Sequence, residues 1–168
     1  VSSSIELGVR RALDPRVIDL QRTVRWITAA CLSGPGLIVV AAISFHPRAP
    51  FALKLAFLVA WLAGSLLLAW FAQKWPPIAY RYASYTVDEH GLEIRRGVVW
   101  RAVTNVPRTR VQHTDVSQGP LERSHGLGTL VIHTAGTVHA IVALHGLDYA
   151  TATALRNHLL PGGAADAV

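Results

Sequence analysis

The sequence predicts an α+β membrane protein: a two-helix transmembrane hairpin, then an antiparallel β-barrel or sandwich with a C-terminal capping helix. Three observations carry this reading. Two apolar runs, residues 26–45 and 51–71, are each about 20 residues long and are separated only by His46-Pro47-Arg48-Ala49-Pro50. Beyond residue 80 the apolar positions fall into short alternating segments with turn residues between them. From Asp148 onward they return at helical spacing.

At a rise of about 1.5 Å per residue, each run is long enough to cross the ~30 Å hydrocarbon core of a bilayer. Two buried helices of a soluble core would be shorter and would carry a polar stripe. The aromatic residues Trp26, Phe45, Phe51, Trp70, Phe71 and Trp75 gather at the ends of the runs, where membrane interfaces favour them. Lys54 falls in the first turn of the second run, close enough to its end to reach headgroups. The first run begins too far into the chain, and is too long, for the core of a cleavable leader, so the hairpin is expected to be retained.

The formal net charge of +6 is unevenly spread. Up to Arg25 there are five arginines against three acids; Arg48, Lys54 and Lys74 add three more positive charges; from Trp75 onward eight arginines face seven acids. The excess therefore lies beside the apolar runs and the distal part is nearly neutral, which disfavours a nucleic-acid partner. Arg10, Arg11, Arg16, Arg22 and Arg25 precede the first run, and Lys74 and Arg81 follow the second, against Arg48 between them. The positive-inside rule then predicts a multi-pass membrane protein with both termini in the cytoplasm and the short loop outside.

Residues 1–25 are expected to approach along the membrane surface, with a mobile start. Asp14 is placed to cap a helix whose first residue is Pro15, and Val17, Leu20 and Val24 share one face of it. In the second run Ala56, Ala60 and Gly64 form a ridge of small side chains. It can serve close packing of the two spans, with Ala30 and Gly34 opposite, or docking of a partner's membrane helix. Trp75-Pro76-Pro77 is expected to stop the second span.

A β domain is expected over residues 80–160. Strands are read at 80–87, 92–95, 98–103, 109–118, 129–134 and 137–144. Turns are read at Asp88-Glu89-His90-Gly91, at Arg96-Gly97 and at Ala135-Gly136. Val111 and Val116 differ in parity, so the strand containing them needs a bulge to bury both. Asp148 caps the final helix, Ala152, Leu155 and Leu159 share its buried face, and Pro161-Gly162-Gly163 ends it before a loose tail at 161–168.

The motifs Leu13-Asp14-Pro15-Arg16, then Tyr85-Thr86-Val87-Asp88-Glu89-His90-Gly91-Leu92-Glu93-Ile94-Arg95-Arg96-Gly97-Val98, resemble the bacterial PH-like membrane proteins of the YdbS type. Val106-Pro107-Arg108-Thr109-Arg110-Val111-Gln112, Gln118-Gly119-Pro120-Leu121-Glu122-Arg123 and Gly126-Leu127-Gly128-Thr129-Leu130 extend the match. The resemblance implies a PH-like barrel, a cytoplasmic domain and no known reaction. It also implies a partner in the membrane, such as a larger relative bearing several such domains.

Candidate residues follow from these readings. Gln118, Leu121, Glu122 and Arg123 lie in a loop that can bind a partner or fold back onto the barrel. Arg95, Arg96, Arg101, Arg108 and Arg110 can contact anionic lipid headgroups, or be solvated strand-face residues. The acids Asp88, Glu89 and Glu93 depart from the basic first two strands of phosphoinositide-binding PH domains. His133 and His139 flank a turn, but a two-residue turn would put them on opposite faces, and no metal-ligand motif accompanies them. The single cysteine, Cys31, lies in an apolar run, and neither a GxSxG elbow nor a phosphate loop occurs. No catalytic residue, metal or cofactor is expected. The resulting functional reading is a membrane-anchored scaffold that binds another membrane protein at the cytoplasmic face; the alternative is a lipid-headgroup module, and a membrane-associated enzyme ranks behind both.

Overall fold

A computed structural model describes residues 7–135 and 141–159; the expectations for the first six residues, for the turn beyond Ala135 and for the tail lie outside them. The chain divides into two compact units, one formed by residues 21–77 and the other by residues 1–20 together with 78–168.

The first unit is built from two long helices joined by residues 46–50, α1 (Val17–Phe45) and α2 (Phe51–Arg81), whose outer ends at 17–20 and 78–81 belong to the second unit. Hardly any of their apolar side chains are buried: Ile38, Leu66, Leu67 and Phe45 all stand open, as lipid-facing residues would. This is not the packing of two core helices in a soluble protein. α1 runs unbroken from Val17 through the whole first apolar run. α2 does not stop at Pro76-Pro77 but runs on to Arg81. The two prolines remove only their own N–H donors, and α2 passes through them unbroken.

The second unit is a two-sheet β structure with a helix. Strands β1 (Arg10–Ala12), β2 (Ser84–Val87), β3 (Gly91–Arg96) and β4 (Ala102–Pro107) form one antiparallel sheet in that order. Strands β5 (Val111–Ser117), β6 (Leu127–Thr134) and β7 (Ile141–Asp148) form the other. The inner faces meet in one core of Tyr85, Val87, Leu92, Ile94, Val106, Leu130, Ile132, Val142 and Leu144. Helix α4 (Tyr149–Leu159) adds Ala152, Leu155 and Leu159 to that core, on the face the spacing predicted. Asp148 caps it by accepting the Ala150 N–H at 3.1 Å. The bulge required by Val111 and Val116 is present, as a register shift between Val111 and His113.

Two strand expectations are corrected. Residues 10–12 were read as part of an interfacial approach, yet they pair with β2, Arg10 opposite Thr86 and Ala12 opposite Ser84. The first sheet is thus completed by a strand that precedes the apolar helices. The strand expected at 98–103 begins only at Ala102, because Arg96 pairs with Ala102 and leaves residues 97–101 as a loop. Gly97 sits there at φ +113, and a Cβ on it would lie 1.8 Å from the Trp100 carbonyl oxygen, so the chain turns where only glycine fits. Between β6 and β7, His133 pairs with Ile141.

Candidate functional site

The segment leading into α1 is clamped to the β domain. Arg16 reaches back to Asp14, its Nη2 2.8 Å from Oδ2, and across to Asp148, 2.8 Å from Oδ1, while its Nη1 donates to the His125 carbonyl at 3.3 Å. The hydrogen bond from Arg16 holds the Asp14 carboxyl below the usual carboxylate range, and the two carboxylates push the guanidinium's pKa further up. Gly126, at φ +67, makes room: a Cβ there would lie 2.8 Å from Arg16 Nη1. Leu13 and Val17 pack where Gly146 leaves space, and the Tyr80 hydroxyl donates to the Leu13 carbonyl at 2.9 Å. Leu13-Asp14-Pro15-Arg16 and Gly126-Leu127-Gly128, far apart in sequence, are therefore the two halves of one joint.

The loop around Gln118 folds onto the barrel as the short helix α3 (Pro120–Ser124). Gln118 donates to the Leu127 carbonyl at 2.6 Å. Glu122 accepts the Gly119 N–H at 2.8 Å with one oxygen and the Thr129 hydroxyl at 2.6 Å with the other. These polar groups are used inside the domain, whereas Leu121 and Arg123 point to solvent. Thr129 is buried and also lies 2.9 Å from His145 Nδ1. Its hydroxyl gives its proton to Glu122, so His145 serves as a donor to Thr129 and not as a base that would activate it.

The candidate headgroup arginines separate into two groups. Arg95, Arg96 and Arg101 line one cleft at the β3–β4 loop together with Arg81, a further basic candidate beside the first strands, and are joined there by Arg10, which sequence reading did not place with them. Arg108 and Arg110 lie on a 3-10 turn at the other end of β4, where Gly91 pairs with Pro107, and are not part of that cleft. Alternation explains the cleft: Tyr85, Ile94 and Val106 point into the core, so Ser84, Arg95 and Val103 share the outer face. Arg95 is ion-paired with Glu93 on that face.

Among the histidines, His113 Nε2 lies 2.9 Å and His133 Nε2 3.8 Å from the Asp115 carboxylate, on the open surface of the second sheet. His139 lies outside the described residues. Among the described residues there is no group of three or more side chains arranged to hold a metal ion.

In the helical unit the two helices touch through Trp61. Its Nε1–H donates to the Ser33 carbonyl at 3.0 Å, and a Cβ on Gly36 would lie 2.7 Å from its ring. Arg25 stacks its guanidinium over Phe71, 5.1 Å from the centroid, beside Trp75. The small residues expected between the helices are not there: Ala56, Ala60 and Gly64 are exposed, and Gly34 has nothing against it. Counting 100° per residue places Trp61 about 100° around α2 from the centre of that ridge.

A two-sheet β domain with one C-terminal helix, attached to two apolar helices, can be compared with known proteins. The family described as bacterial PH domain matches residues 35–162, well over half of the chain. The chain belongs to the bacterial PH domain family. The UPF0699 transmembrane protein YdbS of Bacillus subtilis (strain 168) is 36% identical over 118 residues, which cover 70% of this chain and 71% of that protein. No solved structure matches. The bacterial PH domain here thus sits in a membrane protein: its relative is named as transmembrane, and α1 and α2 are long, apolar and exposed. The family pattern starts at residue 35, inside α1, so β1 and the Asp14–Arg16 joint lie ahead of the matched region.

Proposed function

We propose that this bacterial PH-like protein is a non-catalytic, membrane-anchored interaction module that binds another integral membrane protein at the cytoplasmic face. The observation that carries the reading is the uncovered Ala56, Ala60 and Gly64 ridge. The hairpin makes its own contact through Trp61 and leaves the close-approach surface of α2 to another helix. A larger relative with several PH-like domains is the partner class that the family resemblance suggests. Leu121 and Arg123 offer a second contact on the β domain, because Gln118 and Glu122 are already engaged beneath them.

The topology is supported by the pairing of β1 with β2. One strand precedes α1 and the other follows α2, so both outer ends of the hairpin leave from a single folded domain. A chain that crosses once and returns satisfies this, and the arginine excess at those ends favours the cytoplasm. A filled aliphatic core and a Thr129 hydroxyl committed to Glu122 fit an interaction role better than a catalytic one. The test is affinity purification of the full chain from native membranes in mild detergent, with mass spectrometry of what remains attached. One integral membrane protein should co-purify, and Ala60→Leu with Gly64→Leu should reduce it by roughly tenfold. A lone monodisperse monomer under the same conditions would count against the proposal.

A further inference from the structure

We propose that the β3–β4 loop and the arginine cleft behind it form a docking site for an anionic phospholipid surface, in which Trp100 enters the interface and the arginines hold headgroup phosphates. The loop is built to project. Because Gly97 turns the chain against the Trp100 carbonyl, Val99 and Trp100 are carried outward and are 75% and 88% exposed. A tryptophan in water at a loop tip wastes most of its apolar surface; at a membrane interface its ring lies at headgroup level with the indole N–H still wet.

The cleft supplies the complementary charge. It has a volume of about 270 Å³ and is lined by Arg10 from β1, Arg81 from the end of α2, Ser84 from β2, and Arg95, Arg96 and Arg101 from the β3–β4 hairpin. No carboxylate lines it, and Glu93 on the same sheet face is paired with Arg95. Arg95 is offset by Glu93, and the other four arginines, brought to the cleft from three chain segments, repel one another unless an anion lies between them. Guanidinium also matches phosphate by paired N–H donors, which a lysine cluster would not do.

The occupant follows from charge and from connectivity. Arg81 is the last residue of α2, six positions after Trp75. An apolar membrane helix therefore feeds directly into the cleft's own lining, and a bilayer surface is the anionic array nearest at hand along the chain. An apolar tip in front of clustered arginines suits an interface whose phosphates overlie acyl chains better than a free phosphate, which offers nothing to Val99 or Trp100.

The test uses the full chain in nanodiscs. An environment-sensitive dye is attached at Val99→Cys in a Cys31→Ser background and quenched by lipids carrying a doxyl group near the glycerol. In phosphatidylcholine with roughly one phosphatidylglycerol in three, quenching should exceed that in phosphatidylcholine alone by roughly threefold. Arg96→Glu with Arg101→Glu should abolish the difference, whereas Arg108→Glu with Arg110→Glu, an equal change of charge at the far end of β4, should leave it in place. A water-exposed probe in both lipids would overturn the proposal. So would equal quenching in both, or equal loss with the two charge-matched double variants.

Discussion

Arg16 shows how much one side chain can settle at the residue scale. It ties the segment before α1 to the Gly126 turn and to the cap of α4, and its ion pair with Asp14 carries a clear pH dependence. Asp14 is held below the ordinary aspartate value of about 3.9, so it is charged in the folded state at a pH where the unfolded chain is already taking up its proton. A depressed carboxylate contributes stability that is fully present above that value and is lost as the pH falls through the folded value. Thermal unfolding of the purified protein between pH 5 and pH 3 checks this: the wild type should lose a few degrees more than Asp14→Asn, whose curve should be flatter over that interval. Equal slopes would remove Asp14 from the account. The sequence signalled Asp14 only as a helix cap. The partners of Arg16 at 125 and 148 lie more than 100 positions away, and no local spacing points to them.

At the scale of elements, legibility followed periodicity. The two apolar helices and α4 were read from long, regular patterns that tertiary context had no reason to override. Leu155 tests the last of these: it is buried in the core between the sheets and α4, and Leu155→Ala should destabilise the domain by about 2–5 kcal/mol, measured by denaturant unfolding of the full chain in detergent. A loss below about 1 kcal/mol would mean that α4 is not seated as described. β1 escaped because three residues, two of them arginine, contain no alternation to read, and their partner strand comes some 70 positions later. The strand expected at 98–103 failed for the opposite reason. Val98, Val99 and Trp100 carry strong β propensity, but the register from Arg96 to Ala102 and the turn at Gly97 exclude them from the ladder. That failure coincides with the exposed loop to which a function is assigned, as expected where local preference is set aside for use. The ridge on α2 was legible as small residues and not as an open face, since spacing alone does not say which side of a helix its neighbour takes.

For the whole molecule, the decisive feature is that two long apolar helices are inserted between the first and second strands of a bacterial PH domain. Arg10 and Arg81 stand on either side of that insertion and meet in one cleft, so two arginines separated by the entire hairpin become neighbours. Neither composition nor motif spacing reveals this; it follows from the strand pairing alone. The same pairing underlies the claim that the β domain and both outer ends of the hairpin share one side of the membrane. The most direct measurement is thiol labelling in intact and permeabilised cells, with single cysteines placed at Arg48 and at Glu89 in a Cys31→Ser background. Arg48→Cys should react with a membrane-impermeant maleimide in intact cells, and Glu89→Cys only after permeabilisation. Labelling of both from the same side would contradict the hairpin.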